Sequence, residues 1–207
     1  MSPRKAPALR GTDLSLREHL VTTAARLIAE RGTAGLTVRA IAREADVADG
    51  VLYNHFADKE ELLALALRTH LRTVVRDMGD LPVPGHGTVR DNLRAHIAYG
   101  LAFHRAVLPA FAGLIAQPRV LTAFAELSEP GEDWRDLLHA YLRAEAELGR
   151  LAPDARIEAA TAMIVGVCHE TILTGLLHNA SAHQDFTDEF VDDLADTVLE
   201  GIGLSRT

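Results

Sequence analysis

Apolar residues recur every three or four positions along nearly the whole sequence, which is the spacing of one face of an α-helix. Residues that begin and end helices divide this pattern. A Ser15-x-x-Glu18 capping box opens the first segment, Gly32 ends it, and Thr37 and Asp58 precede later segments. Nothing in the sequence alternates with the two-residue period of a strand. The chain is therefore predicted to be all-α.

Prolines limit the later helices. One helix is expected to end near Phe103, because Pro109 and Pro118 interrupt the sequence beyond it. An almost wholly apolar helix is expected over 153–179, with Pro153 in its first turn, where proline is well tolerated. A last amphipathic helix follows it.

The composition is that of a soluble globular protein, with 48% apolar and 24% charged residues. The single cysteine, Cys168, excludes an intramolecular disulfide and a zinc site built on thiolates. The N-terminal residues lack the apolar segment of a signal peptide, and the run ATAMIVGVC is too short to span a bilayer. A cytoplasmic protein that does not enter the membrane is expected.

Charge is distributed unevenly along the chain. The net charge is −8, but residues 1–59 carry +2 and residues 60–207 carry −10. A basic segment attached to an acidic body is compatible with a partner of negative charge at the N-terminal end.

Three short helices before residue 60 fit a helix-turn-helix. Ala42 is small enough for two helices to cross closely, and Asp46 tolerates the positive φ of a tight turn. Val47, Leu52 and Phe56 are spaced to hold the third helix from beneath. The outward face then carries residues suited to a DNA major groove: Asp49, Gly50, Tyr53 and Asn54.

The segment LTVRAIAREADVADGVLYNHFADKEELL (36–63) resembles the DNA-binding signature of the TetR family of bacterial repressors, T-x-x-x-I-A-x-x-x-G-V-S-x-x-x-L-Y-x-H/Y-F-x-x-K-x-x-L. Two positions depart from it. Asp46 replaces the usual glycine, and Ala48 replaces the usual serine, so a hydroxyl that would cap the helix and contact phosphate is missing. The matching positions are Thr37, Ile41, Ala42, Val47, Leu52, Tyr53, His55, Phe56, Lys59 and Leu62.

The residues predicted to meet double-stranded DNA are Thr37, Arg39, Asp49, Gly50, Val51, Tyr53, Asn54, His55 and Lys59. The resemblance implies phosphate contacts for Thr37, Tyr53 and Lys59, which fix the register of the protein on DNA. Asn54 is suited to adenine. Asp49 either accepts a hydrogen bond from cytosine or is a liability that phosphates repel.

The predicted domains are a flexible basic arm (1–13), a helix-turn-helix DNA-binding domain (14–58) and a helical domain for effector binding and dimerisation (59–207). Basic residues of the arm are expected on neighbouring phosphates or in the minor groove, and a plain disordered tail is the alternative. These residues are Arg4, Lys5 and Arg10.

A helix that is apolar on all sides must bury one face in the core of its own chain and another face elsewhere. This predicts a two-fold homodimer through the last two helices. Such a dimer requires a palindromic operator. Burial of both faces within the same chain is the alternative. The interface candidates are Ala162, Val165, His169, Ile172, Phe190, Leu194 and Val198.

The resemblance also implies a pocket for a small molecule among the helices of the larger domain. A polar side chain among aliphatic ones would orient such a ligand, while plain core packing is the alternative for each residue. The candidates are His70, Ile97, Tyr99, Phe103, Phe111, Trp134, Leu138 and Met163.

The function predicted is that of a DNA-binding transcriptional repressor released from its operator by a small molecule. A DNA-binding regulator or activator without small-molecule input is one alternative, and a helical dimeric scaffold is another. An enzyme is not expected: Cys168, His169 and Glu170 are consecutive on a helix and point in different directions, and no histidine spacing suggests a metal. No cofactor is expected.

Overall fold

A computed structural model of the chain describes residues 15–127, 133–177 and 187–203. Every regular element within those ranges is helical, which confirms the all-α prediction. The basic arm and the last two residues of the helix predicted over 153–179 lie outside the described residues. The elements are α1 (Leu16–Arg31), α2 (Val38–Glu44), a 3₁₀ helix (Asp49–Asn54), α3 (Lys59–Met78), α4 (Val89–Ala112), α5 (Pro118–Leu127), α6 (Trp134–Glu147), α7 (Ile157–Leu177) and α8 (Asp188–Gly203).

Side chains cap the helices where the sequence predicts it. The Ser15 hydroxyl accepts from the Glu18 N–H while the Glu18 carboxylate accepts from the Ser15 N–H, which completes the capping box. Thr37 accepts from the Ala40 N–H at the start of α2. The Asp58 carboxylate accepts from the Glu61 N–H at 2.8 Å, as predicted for α3.

The described residues pack as two compact units. Unit 1 contains residues 15–77 and 106–127, and unit 2 contains 78–105, 133–177 and 187–203. The helix α4 contributes its first part to unit 2 and its last turns to unit 1. This division rests on packing, and the functional boundary between residues 58 and 59 remains a prediction.

The core of unit 1 joins all of its helices. Its most deeply buried members come from α1, α2, the 3₁₀ helix, α3 and the segment 110–120, and they include Leu20, Leu27, Ile28, Ile41, Ala42, Leu52, Leu62, Leu63, Leu67, Leu114 and Val120. Burial of this much aliphatic surface fixes the helix-turn-helix against α3 and α5.

The prediction that a helix ends near Phe103 is wrong, because α4 continues through Pro109 to Ala112. Packing supports the extension: the buried Thr33 hydroxyl donates to the Ala110 carbonyl at 2.8 Å. A Cβ on Gly113 would lie 2.7 Å from the Ala34 nitrogen, so the loop after α1 fits closely against the end of α4. These tertiary contacts outweigh the hydrogen bond that proline removes.

The start predicted for the helix over 153–179 is also wrong, because α7 begins at Ile157. Pro153 and Asp154 instead occupy the centre of a turn that the Ala155 N–H closes on the Ala152 carbonyl. Among the described residues, the segment Ile157–Leu176 is long and apolar enough to cross a membrane by those two criteria alone. The face of α7 with Ile164 and Cys168 is buried in the core of unit 2.

A close helix crossing organises unit 2. A Cβ on Gly100 of α4 would lie 2.2 Å from Cζ2 of Trp134, so only glycine allows the buried indole to rest on α4. The rest of this core is mainly aliphatic and comes from α4, α6, α7 and α8: Leu93, Ile97, Leu138, Leu142, Ala160, Ile164, Ala195 and Val198.

Candidate DNA-binding surface and buried polar cluster

The turn after α2 depends on the positive φ of Asp46, which is 55° as the sequence predicts. The Val47 N–H donates to the Ala42 carbonyl at 3.0 Å and the Asp46 N–H donates to the Arg43 carbonyl at 3.3 Å. These two bonds form a Schellman ending, which reverses the chain directly into the next element. Ala42 is fully buried beneath it, as expected for a close helix crossing.

The third helix of the motif is a 3₁₀ helix of six residues, Asp49–Asn54. Its Val51 N–H donates to the Ala48 carbonyl at 2.9 Å, a bond between residues three apart. Ala48 supplies no side-chain cap. Leu52 and Phe56 are buried below, so the predicted anchoring of this helix is confirmed.

Arg17 of α1 also secures this region, although the sequence analysis did not single it out. Its guanidinium lies 4.9 Å from the centre of the Phe56 ring and donates to the His55 carbonyl at 3.4 Å. A third contact joins it to Glu61 at 2.8 Å. Arg17 therefore connects the end of the 3₁₀ helix to α3. No local pattern reveals this role, because each partner is far from Arg17 in sequence.

The side chains predicted to contact DNA lie on the outside of unit 1. Tyr53 is 63% exposed, which is unusual for an aromatic residue in a short helix. Thr37, Gly50 and Asn54 are also exposed, and a Cβ on Gly50 would meet no atom within 4 Å. Three of the predicted residues are half-buried: Val51, His55 and Lys59.

Arg39 and Asp49 form an ion pair across the turn of the motif. The Nε atom of Arg39 lies 3.2 Å from Oδ2 of Asp49, and the two side chains are 88% and 53% exposed. Asp49 thus has a basic partner within the protein itself. The pair was not predicted from the sequence.

Unit 2 holds a cluster of buried polar side chains that the ligand prediction did not include. His96 is 2% exposed, and neither of its ring nitrogens has a hydrogen-bond partner. Its ring packs on Tyr141 with centroids 4.3 Å apart. No hydrogen bond of standard geometry reaches the Tyr141 hydroxyl, although Asn92 and Glu145 are near enough to affect its pKa.

Burial sets the protonation of this cluster. It lowers the pKa of His96 to about 4, so the ring is neutral at pH 7 and offers one donor and one acceptor. Burial also raises the pKa of Tyr141. Glu145 is fully buried, and it is held by the Gly85 N–H at 3.3 Å and by Arg150 Nε at 3.2 Å.

A second group of rings lies beside Gly100. The His104 imidazole bonds to the Gly100 carbonyl through Nδ1 at 2.6 Å and meets Trp134 and His169 edge-on, with centroids 5.2 and 4.4 Å away. Burial lowers the pKa of His104. The Trp134 Nε1 is buried without a hydrogen-bond acceptor.

The residues predicted to bind a ligand are divided between the two units. His70 and Phe111 belong to unit 1, where His70 bonds to the Ala106 carbonyl at 3.3 Å and Phe111 packs on Phe124. Met163 is 53% exposed on α7. The others lie in unit 2: Ile97, Phe103, Trp134 and Leu138 are buried and Tyr99 is half-buried.

The predicted dimer residues divide between the surface and the core of unit 2. Ala162 and Phe190 are exposed, and Val165, His169 and Leu194 are half-buried. Ile172 and Val198 are buried within unit 2, because they lie on the faces that pack against neighbouring helices. The exposed, mainly apolar face of α7 carries Ala159, Ala162, Met163, Gly166, Leu173 and Leu176, with the exposed Glu170 between Gly166 and Leu173.

Cys168 is not placed for catalysis. It is buried, and burial raises the pKa of its thiol to about 12, so it is protonated at neutral pH. The neighbouring His169 packs against His104.

Comparison with known proteins shows similarity to transcriptional regulators. The model of the bacterial regulatory proteins of the tetR family matches residues 20–66. The HTH-type transcriptional repressor NemR of Escherichia coli (strain K12) is 27% identical over 129 residues, which are 61% of this chain and 61% of NemR. The chain thus matches less than two thirds of NemR.

Two further comparisons extend over more of the chain. The HTH-type transcriptional repressor KstR2 of Rhodococcus jostii (strain RHA1) is 32% identical over 151 residues, covering 70% of this chain and 72% of KstR2. The crystal structure of FadR from Bacillus subtilis in complex with stearoyl-CoA shares the fold, with a TM-score of 0.58, 19% identity and coverage of 89% of this chain and 98% of FadR. The chain belongs to the tetR family of bacterial regulatory proteins.

Proposed function

We propose that this protein is a cytoplasmic transcriptional repressor that binds a palindromic operator as a homodimer and leaves it when a small molecule binds unit 2. The outward face of the helix-turn-helix carries the proposal. Its exposed hydroxyl, phenol and amide groups on Thr37, Tyr53 and Asn54 stand above a fully apolar anchor. Such groups contact phosphates and base edges.

The residues proposed to contact DNA are those predicted from the sequence. Some of them bind phosphates of the DNA backbone and others face the bases. Thr37 uses its oxygen to accept from Ala40, and its O–H is left to donate to a phosphate. Tyr53 and Lys59 hold phosphates as well. Gly50 allows the DNA backbone or a base to approach closely, because nothing else occupies that space.

The proposed dimer uses the exposed apolar face of α7 together with Phe190 and Leu194 of α8. Ala162, Met163 and Gly166 permit close approach of a second helix, and apolar surface of this extent on a soluble protein favours a partner. Met163→Glu is expected to give monomers in sedimentation experiments, whereas Leu137→Glu on α6 serves as the matched control.

The proposed effector binds in unit 2 with an uncharged polar group at the buried cluster. The two ring nitrogens of His96 are unsatisfied there, and a ligand that bonds to them would remove the cost of burying them unpaired. The surrounding core is aliphatic, so the rest of the ligand is apolar. FadR from Bacillus subtilis was crystallised with stearoyl-CoA, a molecule with a long apolar part.

Fluorescence anisotropy with the labelled intergenic duplex upstream of the gene, at two salt concentrations, tests the DNA-binding proposal. Tyr53→Ala and Lys59→Ala should weaken binding to every sequence, and Lys59→Ala should make the salt dependence shallower by about one ion. Arg76→Ala removes an exposed charge at the end of α3 as a control. Binding that both variants leave unchanged would refute the proposed contacts, and absence of duplex binding by the wild-type chain would favour the scaffold alternative. Operator binding that no small molecule changes would favour a regulator without effector input.

A further inference from the structure

The Arg39–Asp49 pair presents an unusual combination for a DNA-facing surface. An exposed carboxylate near phosphates weakens binding to all sequences, because phosphates repel it. An exposed ion pair also adds little to folding stability. Affinity for DNA in general therefore does not account for an acid at position 49, whose side chain is 53% exposed on the proposed DNA surface.

The geometry of the pair leaves the outer part of the arginine available. Asp49 Oδ2 lies beside the Nε atom of Arg39, at 3.2 Å. The Arg39 side chain is 88% exposed, so its terminal amino groups face solvent. An ion pair at Nε leaves the two terminal amino groups of the guanidinium available as parallel donors.

We propose that Asp49 is a positioning residue that holds Arg39 for recognition of a guanine in the operator. Arg39 donates from its two terminal amino groups to O6 and N7 of the guanine, which is the bidentate contact that arginine makes in a major groove. The inference rests on the proposed DNA-binding function and deepens it. Asp49 thereby increases sequence discrimination at the expense of affinity for DNA in general.

The two residues of the pair belong to different helices of the motif. Arg39 is the second residue of α2 and Asp49 is the first of the 3₁₀ helix. The turn with the positive φ of Asp46 brings them together. The pair thus joins the two helices that a helix-turn-helix places on DNA, and it aims a long side chain from the first toward bases beside the second.

Selection from a random double-stranded DNA library tests the inference, because such a library requires no defined operator sequence. The wild-type chain, Arg39→Ala, Asp49→Ala, Asp49→Asn and the double variant Arg39→Ala/Asp49→Ala are each used to select bound duplexes. Circular dichroism verifies that each variant is folded. Glu30→Gln, which removes one exposed acid from unit 1, controls for charge alone.

The expected result is loss of the same guanine preference in Arg39→Ala and in both Asp49 variants, by about tenfold in relative affinity. Asp49→Ala should at the same time bind unselected DNA more tightly than wild type. The double variant should lose no more discrimination than Arg39→Ala, because Asp49 acts through Arg39.

Three outcomes would overturn the inference while leaving DNA binding intact. A cytosine preference that Asp49→Ala removes and Arg39→Ala retains would make Asp49 a direct reader. A guanine preference that survives in both Asp49 variants would show that Arg39 needs no positioning. An equal change in affinity for all sequences, as expected for Glu30→Gln, would reduce Asp49 to a simple charge. If the wild-type chain selects no sequence, the proposed function itself fails.

Discussion

Replacement of His96 by leucine should remove much of the loss of stability that the protein suffers between pH 6.5 and pH 4. The folded state holds this ring in its neutral form, since burial lowers its pKa to about 4, whereas an unfolded histidine has a pKa of about 6.5. Between those values the unfolded chain binds a proton at this position that the folded chain does not bind. The contribution of the neutral His96 ring to the free energy of unfolding is therefore fully present above pH 6.5 and is lost as the pH falls toward 4.

The size of the effect follows from the difference between the two pKa values. A difference of about 2.5 units corresponds to roughly 3 kcal/mol when the pH has fallen below 4, and about 2 kcal/mol of it is lost by pH 5. His96 is 2% exposed, so water screens little of this cost. Leucine has a similar volume and does not titrate. At pH 7 it also removes two unpaired ring nitrogens, which should not decrease stability.

Urea unfolding at pH 5 and pH 7 measures the effect through the fluorescence of Trp134, the one tryptophan of the sequence, which is buried in unit 2. The stability difference between His96→Leu and wild type should increase by about 2 kcal/mol from pH 7 to pH 5. Other titrating groups cancel in this difference. Exposed His86→Gln serves as the control. If the difference between His96→Leu and wild type is the same at both pH values, the ring is not held neutral by burial and the reasoning is wrong.

Three further predictions can be measured by thermal unfolding. Asp46→Gly should raise the free energy of unfolding by about 1 kcal/mol, since glycine adopts the positive φ at this position without strain; a lower melting temperature would contradict this. Ala48→Ser should add about 1 kcal/mol by capping the 3₁₀ helix and should tighten DNA binding; an unchanged melting temperature and affinity would refute a capping role. Gly100→Ala should lower the free energy of unfolding by about 1–3 kcal/mol, because the added Cβ collides with Trp134. At Gly166 an added Cβ meets no atom within 4 Å, so Gly166→Ala should stabilise the isolated chain by about 0.5–1 kcal/mol. The same substitution should weaken the proposed dimer. Equal effects of the two glycine substitutions would contradict the packing described for α4.

The sequence predicted those features that neighbouring residues determine. Ser15, Thr37 and Asp58 cap their helices because each cap needs a hydroxyl or carboxylate and an N–H within three residues. The positive φ of Asp46 likewise follows from a local requirement, a sharp chain reversal between two short helices. The arrangement of the helix-turn-helix could therefore be read from about twenty consecutive positions.

Tertiary contacts decided the features that the sequence analysis missed. A proline usually ends a helix. The helix α4 continues past Pro109 because Thr33 and the loop after α1 bind its last turn. Pro153 can begin a helix or occupy a turn, and the bond from Ala155 to Ala152 selects the turn. Local rules disfavour Pro109 inside a helix and allow Pro153 in either conformation, so they predict the observed structure at neither position.

The difference between local and tertiary contacts also decides how well each of the two proposed sites could be predicted from the sequence. Within the described residues, every side chain proposed to meet DNA lies between Thr37 and Lys59, and a short motif suffices to hold them in one surface. The buried cluster instead joins α4 to α6, and its Glu145 accepts from Gly85, which lies 60 residues away. Such a site exists only after the core has formed, and its polar groups resemble ordinary helix residues in the sequence. A change of effector among related proteins therefore requires substitutions at scattered core positions, whereas a change of operator requires only a few on one short surface.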